Sequence, residues 1–349
     1  MNLEEVARRA KVSTATVSRV LNNPEAVKST TRARVNQAIE ELKYHPNLHA
    51  RSLAGGKSRT LGIIVSNMEN PFFFDVIKVA ESDAHARGYE IVVANTDYRR
   101  EQLVRSIQLM LARRVSGLAL IVSEMDPSLV HELTASHIPI VFYDAFTSEP
   151  GIWNIQIDYE SGMRRLLDHL HRSGHVRMAF VSHHSNLSPM GVREEIFTRT
   201  VSELSPHIDF MSVTNVDGLD GGAAAAREIL DSGFDPTAIL CVNDFMALGV
   251  LTQLRKRGLR VPEDISVTGF DDIKLSEYCY PALTTVHIPR ARIGHLLFDA
   301  LVPEPGAQPQ PAHEFVIDTH TVLRESTGPA RNDGVVPAAS SRSVTLDRH

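Results

Sequence analysis

The sequence predicts an α/β chain: a small all-α unit at the N-terminus, then two doubly wound parallel-sheet lobes. Three observations lead there. Three short segments near the N-terminus each carry a single apolar stripe at helical spacing. From Leu61 onward, apolar β-rich runs alternate with helical segments, the pattern of parallel sheets flanked by helices. Charge divides along the same line: residues 1–59 hold eleven Lys/Arg against five Asp/Glu, net +6, whereas the remainder holds 25 against 37, net −12. A basic head suited to a polyanion therefore precedes an acidic body that is not.

Leu3, Val6, Ala7 and Ala10 fall at i, i+3, i+4 and i+7, with Asn2 placed to cap the helix they define. A second helix begins at Thr14, capped by Ser13, and buries Val17, Val20 and Leu21. Only Lys11 to Ser13 separate the two, which is a compact helix-turn-helix spacing, and Val12 can plug the angle between them. After the Asn22-Asn23-Pro24 break, Val35, Ala38, Ile39 and Leu42 mark a third helix.

The second helix fills its outward face with small hydroxyls, which are mediocre helix formers. That choice makes sense if the face lies against duplex DNA. Ser13, Thr16 and Ser18 are short enough to donate to phosphate oxygens, and Thr14 and Ala15 sit where a recognition helix meets base edges. Arg19 can reach a guanine edge with two hydrogen bonds, a contact that contributes roughly 1–3 kcal/mol of base discrimination. A polar face on a purely structural bundle would explain neither the charge nor the short side chains. Beyond Pro46, Asn47 can cap a further short helix through Ala50 to Leu53, too short to stand alone in water. Leu53, apolar at the end of a basic linker, is a candidate wedge for a minor-groove base step, although linker leucines without such a role are common.

In the body the runs LGIIVS, EIVVANT, GLALIVS and IPIVFYD read as strands, with helices near 73–87 and 100–114 and another before the fourth strand. VRMAFVS, DFMSV, AILCVND and DISVTGFDD form a second set, with helices around 160–173, 191–204, 220–232 and 244–257. Ligands of open α/β sheets sit at the carboxyl ends of strands. Those ends here carry Asp144, Asn243-Asp244 and Asp271-Asp272; Phe72 and Phe73 follow the first strand, and Arg193 starts a helix after a long loop. Carboxylates, an amide and a guanidinium around aromatic rings suit a polyhydroxylated ligand. Asp244 and Asp272 read more simply as turn formers or helix caps.

The segments EEVARRAKVSTATVSRVLNNPEAV, TRARVNQAIEELKYHPN and ARSL resemble the head and hinge of the lactose-repressor/galactose-repressor family of bacterial transcription regulators. The likeness continues through LGIIVSNMENPFFFDVIKVAE, RRVSGLAL, IVFYD, GLRVPEDISVTGFDD and PALTTVHIP, over roughly residues 2 to 327. It implies lobes of periplasmic-binding-protein type, with the helix around 290–301 returning to the first lobe. The implied organisation is a head over 1–45, a hinge over 46–59, a first lobe over 60–158 plus 289–317, a second over 159–288 plus 318–327, and a disordered tail over 328–349. The residues expected to touch DNA are Ser13, Thr14, Ala15, Thr16, Ser18, Arg19, Asn22, Thr31, Tyr44, Asn47, Ala50 and Leu53. Those expected to line an effector pocket are Phe72, Phe73, Asp144, Arg193, Asn243 and Asp271. The implied function is that of a homodimeric repressor of a carbohydrate uptake or catabolic operon, binding a pseudo-palindromic double-stranded DNA operator and controlled by a small sugar-like effector. No cofactor, metal or membrane partner is expected.

Two departures from the family bear on the effector. Leu187, Ser188 and Pro189 stand where the purine-binding member has polar or cationic residues, which disfavours a purine. Asp217 stands where sugar-binding members often carry an aromatic, which removes a stacking surface and leaves room for a charged group on the ligand.

Other classes fit less well. With 43% hydrophobic and 22% charged residues the chain is neither fibrous nor disulfide-rich, and Cys241 and Cys279 read as reduced and structural. The N-terminus lacks a secretion signal and no run is long enough to span a bilayer, so a cytoplasmic location is expected. A sugar-binding receptor without DNA function leaves the basic head unexplained. A glycosidase reading of the paired aspartates asks for a catalytic cleft joined to a DNA-binding head, and an enzyme is not expected. His169, His171 and His175, with His183 and His184, raise a metal site, but the first three straddle a helix end at Gly174, so capping and surface histidines explain them better. The tail lacks the leucine-bearing helix of tetrameric members, and a dimer is expected.

Overall fold

The computed structural model describes residues 2–44, 58–123, 125, 129–130, 133, 135–144, 152–183, 189–303 and 314–331. It divides into two compact units, Met1–Ser58 and Arg59–His349.

The first unit is a three-helix bundle: α1 Leu3–Ala10, α2 Thr14–Asn22 and α3 Ser29–Leu42, with a 3-10 turn at Pro24–Ala26. Asn2 and Glu5 form a reciprocal capping box at 3.0 Å in both directions, and Ser13 accepts the Thr16 amide at 3.2 Å. Lys11 takes a left-handed turn at φ 54°, which brings the Val12 amide back onto the Ala7 carbonyl. Val6, Ala7, Ala10, Val17, Val20, Val35 and Ala38 are buried, with Val12 and Tyr44 packed against them. One stripe per helix is enough for this small core.

The second unit contains two parallel sheets. The first has the order β11-β5-β4-β3-β1-β2, built from β1 Thr60–Val65, β2 Glu90–Asn95, β3 Leu118–Ile121, β4 Ile140–Tyr143, β5 Trp153–Ile157 and β11 Glu314–Ile317. The second has the order β7-β6-β8-β9, from β6 Arg177–His183, β7 Asp209–Asn215, β8 Ala238–Cys241 and β9 Ser266–Thr268. A small antiparallel pair, β10 Thr285–His287 with β12 His320–Val322, lies beside them in sequence. The central strands β3, β4 and β8 are buried at every position, which explains their unbroken apolar runs. Helices α4 Pro71–Ala86 and α5 Arg100–Ala112 serve the first sheet; α6 Tyr159–Arg172, α7 Pro189–Leu204, α8 Leu219–Asp231 and α9 Asp244–Lys256 serve the second. A short α10, Lys274–Tyr278, follows β9, and α11, Arg290–Leu301, packs on α4 of the first lobe. The chain thus returns to the first sheet twice after building the second, through α11 and β11.

Close approach of α8 and α9 rests on two glycines. A Cβ at Gly222 would lie 2.0 Å from the Met246 carbonyl oxygen, and one at Gly249 2.0 Å from that of Leu219.

The structure corrects two expectations. The segment expected as a disordered tail over 328–349 is ordered at its start: the Gly328 carbonyl meets His175 Nε2 at 3.0 Å, the Ala330 amide donates to Ser173 at 2.8 Å, and Arg331 donates to the Asp264 carbonyl at 3.0 Å. Residues 332–349 lie outside the described residues, as do 46–57 of the expected hinge. His175 is not a surface histidine but is 1% exposed, held between Thr237 Oγ1 and Gly328, and burial lowers its pKa below the ordinary imidazole value. Four strands, β5, β10, β11 and β12, have no counterpart among the eight strands read from the sequence. Among the described residues there is no cluster of metal-ligating side chains, and no helix is long and apolar enough to cross a membrane.

Gly222→Ala should destabilise the body by roughly 3 kcal/mol, the upper range for forced overpacking. Gly191→Ala, a helical site where a Cβ meets nothing within 4 Å, should leave stability unchanged or slightly raised. Urea unfolding of both variants measures the contrast.

Candidate functional site

On the head, α2 presents Ser13, Thr14, Ala15 and Arg19 as exposed residues on the side away from Val17 and Val20. Thr16 and Ser18 are half-buried, and Thr16 Oγ1 already shares a hydrogen bond with Ser13 at 2.9 Å. Thr31 and Tyr44 are half-buried as well, Tyr44 against the bundle core. Asn22 ends α2; the structure does not describe its side chain, and Asn47, Ala50 and Leu53 lie outside the described residues.

In the body, all six residues expected to line a pocket meet in one cleft. Phe72 and Phe73 open α4, where the Asn70 side chain caps the Phe72 amide at 3.0 Å and the two rings meet edge to face at 5.5 Å. Asp144 follows β4 in the left-handed region, φ 57°, and Asp271 follows β9 at φ 119°. Side chains in that region carry strain, which concentrates at sites where the surroundings hold the backbone in place. Here the Asp271 amide donates to Val286 at 2.8 Å, and Arg290 donates to the Asp271 carbonyl.

Arg193 sits one turn into α7 and is 4% exposed. Its Nη1 donates to the Val242 carbonyl at 2.7 Å and Nη2 to the Tyr159 hydroxyl at 2.9 Å. The guanidinium carbon stands 4.2 Å from the Tyr159 ring centroid and 5.1 Å from that of Phe270. Tyr159 in turn donates to Asp144, so a hydrogen-bonded line runs from the second lobe into the first. Burial opposes the Arg193 charge, but Tyr159, Asp271 and Tyr143 outweigh it and hold the pKa above the usual arginine value. Burial pushes the Asp144 carboxyl up to about 6, with the Tyr159 bond and Arg193 pulling the other way. Burial also raises Asp271 well above the carboxylate range; Arg193, 4.0 Å away, opposes this, while Asp244 and Asp217 add to it.

Asn243 caps α9 with its side-chain oxygen, 2.8 Å from the Met246 amide, and turns its Nδ2 to Asp217 at 2.8 Å. Asp217 also accepts from Asn67 at 2.8 Å and Tyr98 at 2.7 Å, both from the first lobe. Asp244 and Asp272 stand outside the cleft wall, and neither caps its own helix. Asp244 accepts from Ile273, Ser276 and Thr285, and Asp272 pairs with His287 and Arg324 at 2.7 Å each.

Sequence reasoning missed Asn70, Tyr98, Ser123, Tyr143, Tyr159 and His183, all in the cleft wall. Tyr143, Ser123 and His183 stand at or just beyond strand ends, so the rule that found Asp144 could have found them too. Nothing local marks Tyr98 or Tyr159. Among the described residues, two polar atoms of the wall, Arg193 Nε and the Tyr143 hydroxyl, are buried with no hydrogen-bond partner.

A bundle of this kind ahead of a two-sheet body with a polar, aromatic cleft defines a helix-turn-helix regulator joined to a ligand-binding core. Family models agree: residues 2–47 match "Bacterial regulatory proteins, lacI family" and residues 167–327 match "Periplasmic binding protein-like domain". The chain is 35% identical to the HTH-type transcriptional repressor PurR of Vibrio atlanticus (strain LGP32), over 86% of this chain and 90% of the relative. It is 31% identical to the HTH-type transcriptional repressor CytR of Escherichia coli (strain K12), over 93% and 96%. Among solved structures, a lac repressor dimer bound to operator and the anti-inducer ONPF superposes with a TM-score of 0.80 at 28% identity, over 94% of this chain and 99% of that one. The chain belongs to the LacI family of bacterial regulatory proteins, a family of transcriptional regulators and not of enzymes.

The raised Asp144 pKa gives a signed prediction. Between about pH 6 and its ordinary value of 3.8, the folded state holds a proton that the unfolded state has lost, so acidification removes a penalty present in full above pH 6. Asp144→Asn lacks that penalty at every pH. Its stability relative to the parent should be highest above pH 6 and fall by roughly 3 kcal/mol towards pH 4, as read by urea unfolding at both ends.

Proposed function

We propose that this chain is a homodimeric repressor of a carbohydrate uptake or catabolic operon. Two heads bind a pseudo-palindromic operator, and a small sugar-like effector in the body cleft shifts operator affinity. The carrying observation is the convergence of Phe72, Phe73, Asp144, Arg193, Asn243 and Asp271, from both lobes, on one cleft with unpartnered buried polar atoms. A related structure at 27% identity, the regulator CelR in complex with cellobiose (TM-score 0.65), supports a sugar as the ligand class. The expectation against a purine rests on Leu187, Ser188 and Pro189; the first two lie outside the described residues.

For DNA, the supporting feature is the exposed row Ser13, Thr14, Ala15 and Arg19 on α2. Asn47, Ala50 and Leu53 belong to the proposed hinge, with Leu53 as a minor-groove wedge. Dimerisation is supported by a surface patch around α10 where Leu275, Tyr278 and Tyr280 are 47%, 70% and 91% exposed; adjacent exposed apolar groups of this size mark contact surfaces. The effector acts by linkage: whichever lobe arrangement it prefers gains population, and operator affinity follows in proportion to that preference. The protein works in the cytoplasm, where its operator lies.

Genomic fragment selection with the full chain tests this reading, and a failure to prefer any site over random duplex overturns it. With a selected site in hand, Arg19→Ala should weaken specific binding by about tenfold to a hundredfold, read by fluorescence anisotropy, while effector-induced thermal shifts stay unchanged. Tyr280→Asp should sediment as a monomer and lose most operator affinity.

A further inference from the structure

The helices that flank the two sheets end in one recurring turn. Just past α4, α6, α8 and α9 stands a glycine in the left-handed region: Gly88 at φ 70°, Gly174 at 90°, Gly233 at 80° and Gly258 at 75°. Helices commonly stop this way, and glycine takes that backbone without steric cost. The end of α5 makes the same turn with a side chain. Arg114 follows it at φ 54°, and its amide donates to the Leu111 carbonyl at 2.9 Å, as that of Gly88 does to His85 at 3.0 Å. Among the described residues two other helices end on a left-handed side chain, α1 at Lys11 and α3 at Lys43, and both belong to the basic head. A cation thus takes glycine's place in the unit read as DNA-binding and at one position of the body.

That position lies on the edge of the first sheet where its strands begin. Arg59 stands one residue before β1, its carbonyl accepts the Glu90 amide of β2 at 2.8 Å, and its guanidinium lies over Gly88, where an added Cβ would meet Nη1 at 3.1 Å. Ser116, two residues past Arg114, donates to the Thr60 carbonyl at 2.8 Å. Arg59, Arg113 and Arg114 are exposed, and none of them forms an ion pair among the described residues, although the exposed Glu90 shares the edge. Arg87 beside them is spent differently, donating to the Val302 and Pro303 carbonyls past α11. A cation at a helix C-terminus also offsets the helix dipole, and the matching edge of the second sheet shows what that role requires. There Arg177 pairs with Asp235, Arg257 with Asp231 and Arg260 with Asp264, at 2.7–3.3 Å. Arg255 and Lys256 serve the dipole from inside the last turn of α9, and the strained position beyond them is left to Gly258. Dipole compensation therefore does not account for Arg114.

Arg59 is also where the chain passes from the first compact unit into the second. A duplex held by the head is tethered to the body at this edge, not at the cleft. Residues 60–349 together carry a net charge of −12, which turns DNA away from the body as a whole; exposed, unpaired guanidiniums at the point of attachment are a local exception. Resting on the operator reading above, we infer that Arg59, Arg113 and Arg114 form a second DNA contact, a phosphate-binding edge on the body that grips the duplex backbone without reading its bases. Guanidinium suits this task, since it stays charged and its forked donors match a phosphate. Backbone strain of the kind seen at Arg114 persists where a binding role requires it.

The test uses the full chain and a duplex carrying a selected operator between random flanks, with affinity measured across a salt series. Arg113→Gln combined with Arg114→Gln should weaken binding about tenfold at low salt and make the plot of log K against log salt shallower by at least about 1, since each phosphate contact contributes about 0.9 to that slope. Preference for the operator over a mismatched site should stay as in the parent. Arg114→Gly separates the role from folding. It restores the residue the turn favours, so its thermal midpoint should equal or exceed the parent's while DNA binding still weakens about threefold. Arg255→Gln with Lys256→Gln, at the matching edge of the second lobe, should leave the slope unchanged. An unchanged slope in the Arg113/Arg114 variant overturns the inference. So does a loss of operator preference in step with affinity, a midpoint that falls in Arg114→Gly, or an equal effect from the second-lobe pair. Sedimentation of the Arg113/Arg114 variant should match the parent; dissociation would assign the edge to a contact between copies and overturn the DNA role. A parent protein that prefers no site over random duplex sinks the operator reading and this inference with it, whereas a parent that binds its operator beside a variant of full slope sinks the inference alone.

Discussion

The body depends on how it accommodates one buried cation. A guanidinium withdrawn from water is costly unless nearly every donor and both faces find partners. Arg193 meets that demand with the Val242 carbonyl beyond β8, the Tyr159 hydroxyl at the start of α6, the rings of Tyr159 and Phe270, and the Asp271 carboxylate after β9. Elements far apart in sequence are fixed by their shared obligation to this group. The left-handed backbone at Asp144 and Asp271 follows from it, since each carboxylate must turn back toward the cleft immediately after its strand. Strain of this kind costs on the order of 1–3 kcal/mol per residue and persists where the surroundings over-determine the conformation.

Polar contacts near the cleft link the two lobes, beside a hydrophobic core cluster that itself holds buried residues of both. Tyr159 to Asp144 is one bridge; Asn67 and Tyr98 to Asp217 make a second; Arg290, between Asp75 and the Asp271 carbonyl, makes a third. Hydrogen bonds of this sort contribute about 1 kcal/mol each in net terms, comparable to what a modest ligand can supply or withdraw. The polar bridges are the exchangeable part of this junction, since a hydrogen bond can pass from a protein partner to a ligand group while the apolar contacts cannot.

Much of this was legible in the sequence, for reasons that also explain the omissions. The head was readable because every part of it is local: Asn2 and Glu5 cap within four residues, Ser13 within three, and each stripe lies within one helix. Asp144, Asn243 and Asp271 were readable because strand ends are where open sheets place ligand groups, and Arg193 by its place near a helix start after a long loop. Tyr159 and Tyr98 were not, because their roles come from partners across the cleft that no local pattern encodes. Asp217 read as a missing ring, whereas in the fold it is a three-way acceptor. The four residues from Gly328 to Arg331 looked like the start of a polar tail because their anchors, His175, Ser173 and Asp264, are 67 or more positions upstream. The strand β11 is half-exposed at the sheet edge and short, so its pattern is weak.

The division of charge has a consequence for specificity at both ends of the molecule. A head at net +6 concentrates attraction for a polyanion in a unit whose core is seven small aliphatic residues. That unit is too small to carry a ligand cleft of its own. A body at net −12 repels the same polyanion, so DNA meets the protein through the helices that can read it. The same acidity reaches the cleft, where one guanidinium faces Asp144 and Asp271 with Asp217 behind.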